Sequence, residues 1–253
     1  IIFIFLLLSR ELGQLKPGKK KKYLFLLGLL NAITSMCYFS SIRYSGISVA
    51  VLLLYTAPVY VNLLAPTILG ERSNSKNLLP LLLAIGGVLL IARPEEVLMS
   101  VNTGSDFEKG LFFGLLSGLS LGSTIITIRY LRHDYTGMAQ TFWFTGVSLF
   151  FLIPSAILTP VHVFLENFNV LLAFGFTTAL AAVIYLTGIS GIRAQTGSIL
   201  ALVEPVSGIF FDVTVLKNPL YISTLLGCVF ILTAAYLVSR QEPESTALEG
   251  HMR

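Results

Sequence analysis

Eight long apolar runs constrain this chain more than any other feature, at about 23–42, 47–69, 78–92, 110–128, 140–160, 169–189, 196–216 and 220–238. A helix of about 20 apolar residues crosses about 30 Å of hydrocarbon. Seven of the runs reach that length or nearly so, and 78–92 needs help from its flanks. The runs are continuous, where a membrane barrel would alternate. In lipid only a helix satisfies its own backbone hydrogen bonds segment by segment. Composition agrees: 55% of the 253 residues are hydrophobic and 12% charged, against about 25% charged in a soluble domain. The expectation is an all-α, multi-pass membrane protein whose main partner is the lipid bilayer. The opening IIFIFLLL (1–8) is too short to span, and its basic cluster follows the run where a signal peptide would carry it in front. The chain is therefore expected to begin inside a helix. The tail RQEPESTALEGHMR (240–253) is polar and expected to be disordered.

Lys and Arg placement sets the orientation. With the RELGQLKPGKKKK joint (10–22) in the cytoplasm and the joints alternating, one side holds Arg10, Lys16, Lys19 to Lys22, Arg72, Lys76, Arg129, Arg132, Arg193, Arg240 and Arg253. The other side holds Arg43, Arg93, Lys109 and Lys217. That division of thirteen to four follows the positive-inside rule and puts the C-terminus in the cytoplasm. The lysine run reads as an anchor on anionic lipid. The net charge of +4 is too small and scattered for nucleic acid. Cys37 and Cys228 both lie in apolar runs and read as small buried hydrophobes.

The chain also resembles itself. At an offset of 147, Gly28 meets Gly175, Ala32 meets Ala179, Tyr38 meets Tyr185, Ile42 meets Ile189, Pro58 meets Pro205 and Thr67 meets Thr214. Residues 23–91 against 170–238 give 13 identities in 69 ungapped positions. Leucine matches carry little weight here, so the Gly, Tyr and Pro pairs carry the repeat. The offset also maps 140–160 onto the opening run. Each unit then has five spans, and the first lacks one and a half. An odd number of spans inverts the second unit relative to the first, a plan that recurs in secondary transporters with the substrate site near mid-membrane. The expected organisation is an incomplete first repeat over 1–102, a second over 103–239 and the cytoplasmic tail 240–253.

Two stretches resemble the drug/metabolite transporter superfamily, in its EamA-type ten-helix branch. They are SGISVAVLLLYTAPVYVNLLAPTILGERSNSKNLLPLLLAIGGVLLI (45–91) and SILALVEPVSGIFFDVTVLKNPLYISTLLGCVFILTAAYLV (198–238). The first keeps the family's mid-span Pro58, its closing Gly70-Glu71 and Gly87; the second keeps Glu204-Pro205 and Gly227. The chain departs at Asn218, which stands where Glu71 stands in the first repeat, and at Pro80, where the family usually has Gly. The resemblance covers about 1–239. It implies a ten-helix, 5+5 inverted-repeat fold here lacking its first helix and half of its second. It further implies alternating access, export of an amino acid or related small metabolite, and a prokaryotic inner membrane. It implies no metal or organic cofactor.

No Gly-Lys-Ser/Thr phosphate loop, His-Glu-x-x-His zinc motif or Gly-x-Ser-x-Gly elbow is present. His133, His162 and His251 all fall in joints or the tail. Within the spans, Glu204 and Asp212 stand out, because a carboxylate near the bilayer centre costs about 2.5–3.5 kcal/mol and usually faces a cavity or bundle interior. Their spacing of eight sets them about 80° apart on one helix face. They are candidates to line the pathway, and Glu204 to exchange a proton with the transport cycle. The alternative for Glu204 is a hydrogen bond to a neighbouring helix. Pro58 and Pro205 should kink their spans and widen a central cavity, or simply improve packing. Tyr55, Asn31, Thr34, Thr124, Thr178 and Ser207 add polar groups at mid-membrane depth, suited to a small polar or amphipathic solute. Tyr38 and Tyr185 are either paired aromatic gates or packing aromatics. Gly110, Gly114, Gly118 and Gly122 form a bare strip for close helix packing, and Trp143 suits an interfacial belt. Proton coupling and a homodimer are both compatible with this chain. The competing functional classes are a membrane-embedded enzyme, disfavoured for want of a catalytic pair, and a non-transporting or inactive truncated subunit.

Overall fold

The computed structural model describes residues 15, 16, 18, 20–71, 75–93, 105–217 and 219–251. The opening run 1–8, Arg72, Asn218 and most of the 92–109 joint lie outside the described residues. In chain order the helices are α1 (Lys21–Ser45), α2 (Ile47–Leu54), α3 (Ala57–Leu69), α4 (Leu78–Ala92), α5 (Ser105–Leu131), α6 (Gly137–Ile157), α7 (Val161–Glu166), α8 (Phe168–Gly191), α9 (Ala194–Ala201), α10 (Glu204–Thr214) and α11 (Ile222–His251). Among the described residues there is no strand.

Seven segments are long and apolar enough to cross a membrane, and Leu78–Ala92 is a shorter apolar helix. All eight expected runs are therefore helical. Large apolar side chains lie exposed along them, including Phe39, Leu63, Phe150, Phe174 and Phe210. In water such a surface would be a liability; in lipid it is the contact surface. The last helix continues to His251 through the segment expected to be irregular. Its Glu, Ala and Leu residues favour helix.

Two spans expected as single kinked helices are instead broken in two. The chain turns at Tyr55 and Thr56 between α2 and α3, and at Leu202 and Val203 between α9 and α10. Pro58 and Pro205 each stand in the first turn of the second piece. Proline lacks an N–H and its ring clashes with the carbonyl four residues earlier, so it suits a helix start and disrupts a helix interior. Thr56 Oγ1 donates to the Leu53 carbonyl at 2.6 Å, satisfying an acceptor at the break.

The chain divides into two compact units, each drawing on both ends of the sequence. One joins residues up to Ile33 with Thr127–Gly191, and the other joins Thr34–Ile126 with residues from Ile192 onward. In the first unit, Gly28 sits against Val147 so closely that an added Cβ would fall 2.5 Å from the valine Cβ. Asn31 Nδ2 donates to Ser148 Oγ at 2.8 Å. Lys20 reaches Asp134 at 2.9 Å and lies over the Tyr130 ring. The hydrogen bond to Asp134 holds the lysine ammonium above its ordinary pKa. In the second unit, α4 and α11 share a core of Leu81, Ala84, Val88, Ile231, Ala234 and Val238. Their backbones meet at Gly87 and Gly227, where a Cβ on Gly87 would lie 2.7 Å from the Gly227 carbonyl. The glycine strip of α5 packs as expected: a Cβ on Gly118 would lie 2.5 Å from the Leu53 carbonyl, and one on Gly122 would lie 3.0 Å from that of Ala57. The strip therefore seats the first helix break.

Candidate functional site

The second unit contains a cavity of about 180 Å³. Ile47, Ser48 and Val51 of α2 line it on one side and Val88, Ile91 and Ala92 of α4 on another. Tyr55 from the first break and Pro205 from the second complete the wall. Both broken spans thus contribute to a single space. The lining is aliphatic apart from the Ser48 and Tyr55 hydroxyls, a composition suited to a small amphipathic solute. Glu204, the residue before Pro205, is exposed at the start of α10. Tyr38 is half-buried in α1. A half-helix N-terminus carries partial positive charge and a half-helix C-terminus partial negative charge. The two breaks therefore add fixed dipoles beside these side chains.

The other expected residues divide by location. Pro58 is buried in the first turn of α3. In the second unit too, the buried Thr124 turns its hydroxyl back to the Ser120 carbonyl at 2.9 Å, Ser207 bonds back to the Val203 carbonyl at 3.5 Å, and Asp212 is half-buried two turns beyond Glu204. Thr34 is half-buried in α1. In the first unit, Asn31 is engaged with Ser148, while Thr178 and Tyr185 are exposed along α8.

A second polar cluster in the same unit lies at the opposite ends of these spans. Glu71 follows the left-handed Gly70 (φ 67) at the end of α3 and is buried. One of its carboxylate oxygens accepts from the Ala194 backbone N–H, the first of α9, at 3.1 Å. Asn77 Nδ2 donates to Gln195 Oε1 at 3.0 Å, both residues being buried. Gln241 Nε2 donates to the Lys76 carbonyl at 3.3 Å. Sequence reasoning passed over Asn77 and Gln195. An amide near the end of an apolar run looks like any interfacial residue until its partner, 118 positions away, is known. Among the described residues no group of three or more His, Cys, Asp or Glu could hold a metal.

Comparison with known proteins follows the same lines. The EamA-like transporter family profile matches residues 1–93 and 108–240. A protein of Archaeoglobus fulgidus described as an uncharacterized transporter is 28% identical over 228 residues, covering 88% of this chain and 78% of that protein. The pseudopaline exporter CntI of Pseudomonas aeruginosa is 27% identical over 180 residues, covering 70% of this chain and 60% of CntI. A crystal structure aligns with a TM-score of 0.75 over 96% of this chain and 84% of its own, at 15% identity, a likeness of fold alone.

Proposed function

The chain belongs to the EamA-like transporter family, and from that premise we propose that it is a secondary carrier working by alternating access, exporting amino acids or related small metabolites. The cavity walled by both helix breaks carries this reading, because it offers a mostly apolar space with the Ser48 and Tyr55 hydroxyls in its wall. The relative described as an exporter supports the outward direction. The architecture proposed is the ten-helix, 5+5 inverted repeat, its repeats divided near residue 102. The helix boundaries support duplication. Adding 147 to Ile47–Leu54 returns Ala194–Ala201, and adding it to Ala57 returns Glu204, the first residue of α10.

By the positive-inside rule the 70–77 and 192–193 joints and the C-terminus are proposed to face the cytoplasm, and Ile47 outward; the membrane proposed is a prokaryotic inner membrane. In this orientation the cavity belongs to the outer half of the pathway. Asn31, Thr34, Tyr38, Tyr55, Thr124, Thr178, Tyr185, Ser207 and Asp212 are proposed to contribute polar contacts along it, and Glu204 to carry a proton. The test is efflux from cells loaded with a mixed metabolite pool, comparing wild type with Glu204→Gln at equal membrane expression. Accumulation of the same solutes outside wild-type cells and cells lacking the protein would remove the carrier reading.

A further inference from the structure

The repeat makes a prediction that the structure breaks. If both halves were in equivalent conformations, the repeat mates of the cavity-lining residues would line a second cavity. Six of the eight are packed instead; the exceptions are Ala235, the half-buried mate of the buried Val88, and Ser239, the exposed mate of Ala92. Ile47 is 62% exposed, whereas its mate Ala194 is at 0%. Ser48, Val51 and Tyr55 are half-buried, whereas their mates Gln195, Ser198 and Leu202 are buried. Ile91 and Pro205 are half-buried, against buried Val238 and Pro58. The same architectural position is open at one end of the unit and shut at the other.

The shut end holds the polar cluster. Glu71 accepts from the first amide of α9, where the helix dipole favours negative charge and the amide has no partner within the helix. A buried, charge-assisted hydrogen bond is among the stronger polar contacts. Asn77 and Gln195 bridge beside it. The open end has different residue types at the mate positions: Asn218 for Glu71, Thr224 for Asn77 and Ser48 for Gln195. Gly46 stands at the N-cap of α2 there, the position Arg193 holds before α9. The cluster thus biases a two-ended element toward one state, since only contacts made differently in two states shift their populations. Gln195 Nε2 is buried with no acceptor among the described residues, a cost that keeps the shut state from being too deep to leave.

We propose that Glu71, with Asn77 and Gln195, is the latch that holds the cytoplasmic end of the pathway closed, and that its release lets α9 open as α2 now stands. The proposal rests on the carrier reading and its orientation. The test uses the full chain with Cys37 and Cys228 replaced by Ala, in right-side-out and inside-out vesicles. A single cysteine is introduced by Ser198→Cys or by its mate Val51→Cys and labelled with a membrane-impermeant maleimide. Val51→Cys should label from outside, and Ser198→Cys slowly from either side. Adding Glu71→Ala should raise cytoplasmic labelling of Ser198→Cys by about ten-fold, the scale of losing a hydrogen bond to a charged group. The double variant Asn77→Ala/Gln195→Ala should raise it in the same direction, which keeps the test decisive if Glu71→Ala fails to fold. Unchanged Ser198→Cys labelling in the folded variants, with Val51→Cys still reactive from outside, would overturn the latch. The labelling needs no solute, so the two readings fail separately. A chain that opens on latch release but moves no solute loses the carrier reading, and one that moves solute with unaltered labelling loses the latch.

Discussion

Tyr55 and Leu202, which stand 147 positions apart, end their half-helices in nearly the same backbone conformation, φ −77 and ψ 7 against φ −70 and ψ −2. The correspondence continues downstream, where Gly70 (φ 67) and Lys217 (φ 60) are mates with left-handed backbone. A lysine there lacks the freedom that makes glycine common in this conformation. One local chain path is therefore written twice with different side chains. Tyr55 lines a cavity and Leu202 is buried in a core.

The carboxylate beside the second break should matter for turnover. Glu204→Gln keeps shape and hydrogen-bonding capacity but cannot exchange a proton at any working pH. Efflux is expected to fall at least about ten-fold, the effect of a 1.4 kcal/mol change, at unchanged membrane expression. Full efflux in that variant would remove proton coupling through Glu204.

Close backbone approach makes two glycines hard to replace. A Cβ on Gly87 or Gly118 would meet a backbone carbonyl at 2.7 Å or 2.5 Å, whereas one on Gly146 meets nothing within 4 Å. Gly87→Ala and Gly118→Ala should each cost about 1–3 kcal/mol as overpacking. Gly146→Ala should be neutral or gain about 0.5–1 kcal/mol from helix propensity. Thermal unfolding in detergent ranks the three.

Asn31 can be separated from the pathway by a double-mutant cycle. Its bond to Ser148, which also donates to the Gly28 carbonyl at 3.0 Å, should give a coupling of about 0.6–1.7 kcal/mol between Asn31→Ala and Ser148→Ala. Lost transport with no coupling in stability would place Asn31 on the solute instead.

Lys20 and Asp134 form a pair with about a third of each side chain exposed. Lys20→Met should therefore cost less than about 1 kcal/mol. The raised lysine pKa means that this contribution is complete below the unfolded value of 10.5 and is lost as pH rises through the higher folded value. Unfolding at neutral pH in low and high salt measures it, and a larger loss would show that the pair does more than hold the joint.

Removing the Tyr38 and Tyr185 hydroxyls tests the paired-gate idea. Tyr38→Phe and Tyr185→Phe should each change solute affinity or rate by about three- to ten-fold, the scale of one hydrogen bond. If both variants behave as wild type, those hydroxyls have no gating role.

Much was legible in one dimension because lipid leaves a chain few options. Apolar runs of span length must be helices, since no water is present to satisfy their backbone. The spans, the repeat, the glycine strip and the two prolines could all be read that way. Breaks in place of kinks at Pro58 and Pro205 could not, because a proline permits either and the surrounding contacts choose between them. Nor could the pairing of Asn77 with Gln195 or of Glu71 with Ala194, which depends on residues more than a hundred positions apart. The sequence alone determined that this chain is a helical membrane protein that matches itself at an offset of 147, because hydrophobic length and internal matches are properties of the chain itself. Only the tertiary structure decided that Tyr55 lines a cavity while Leu202, 147 positions on, is buried, because burial depends on which helices come to lie beside each segment.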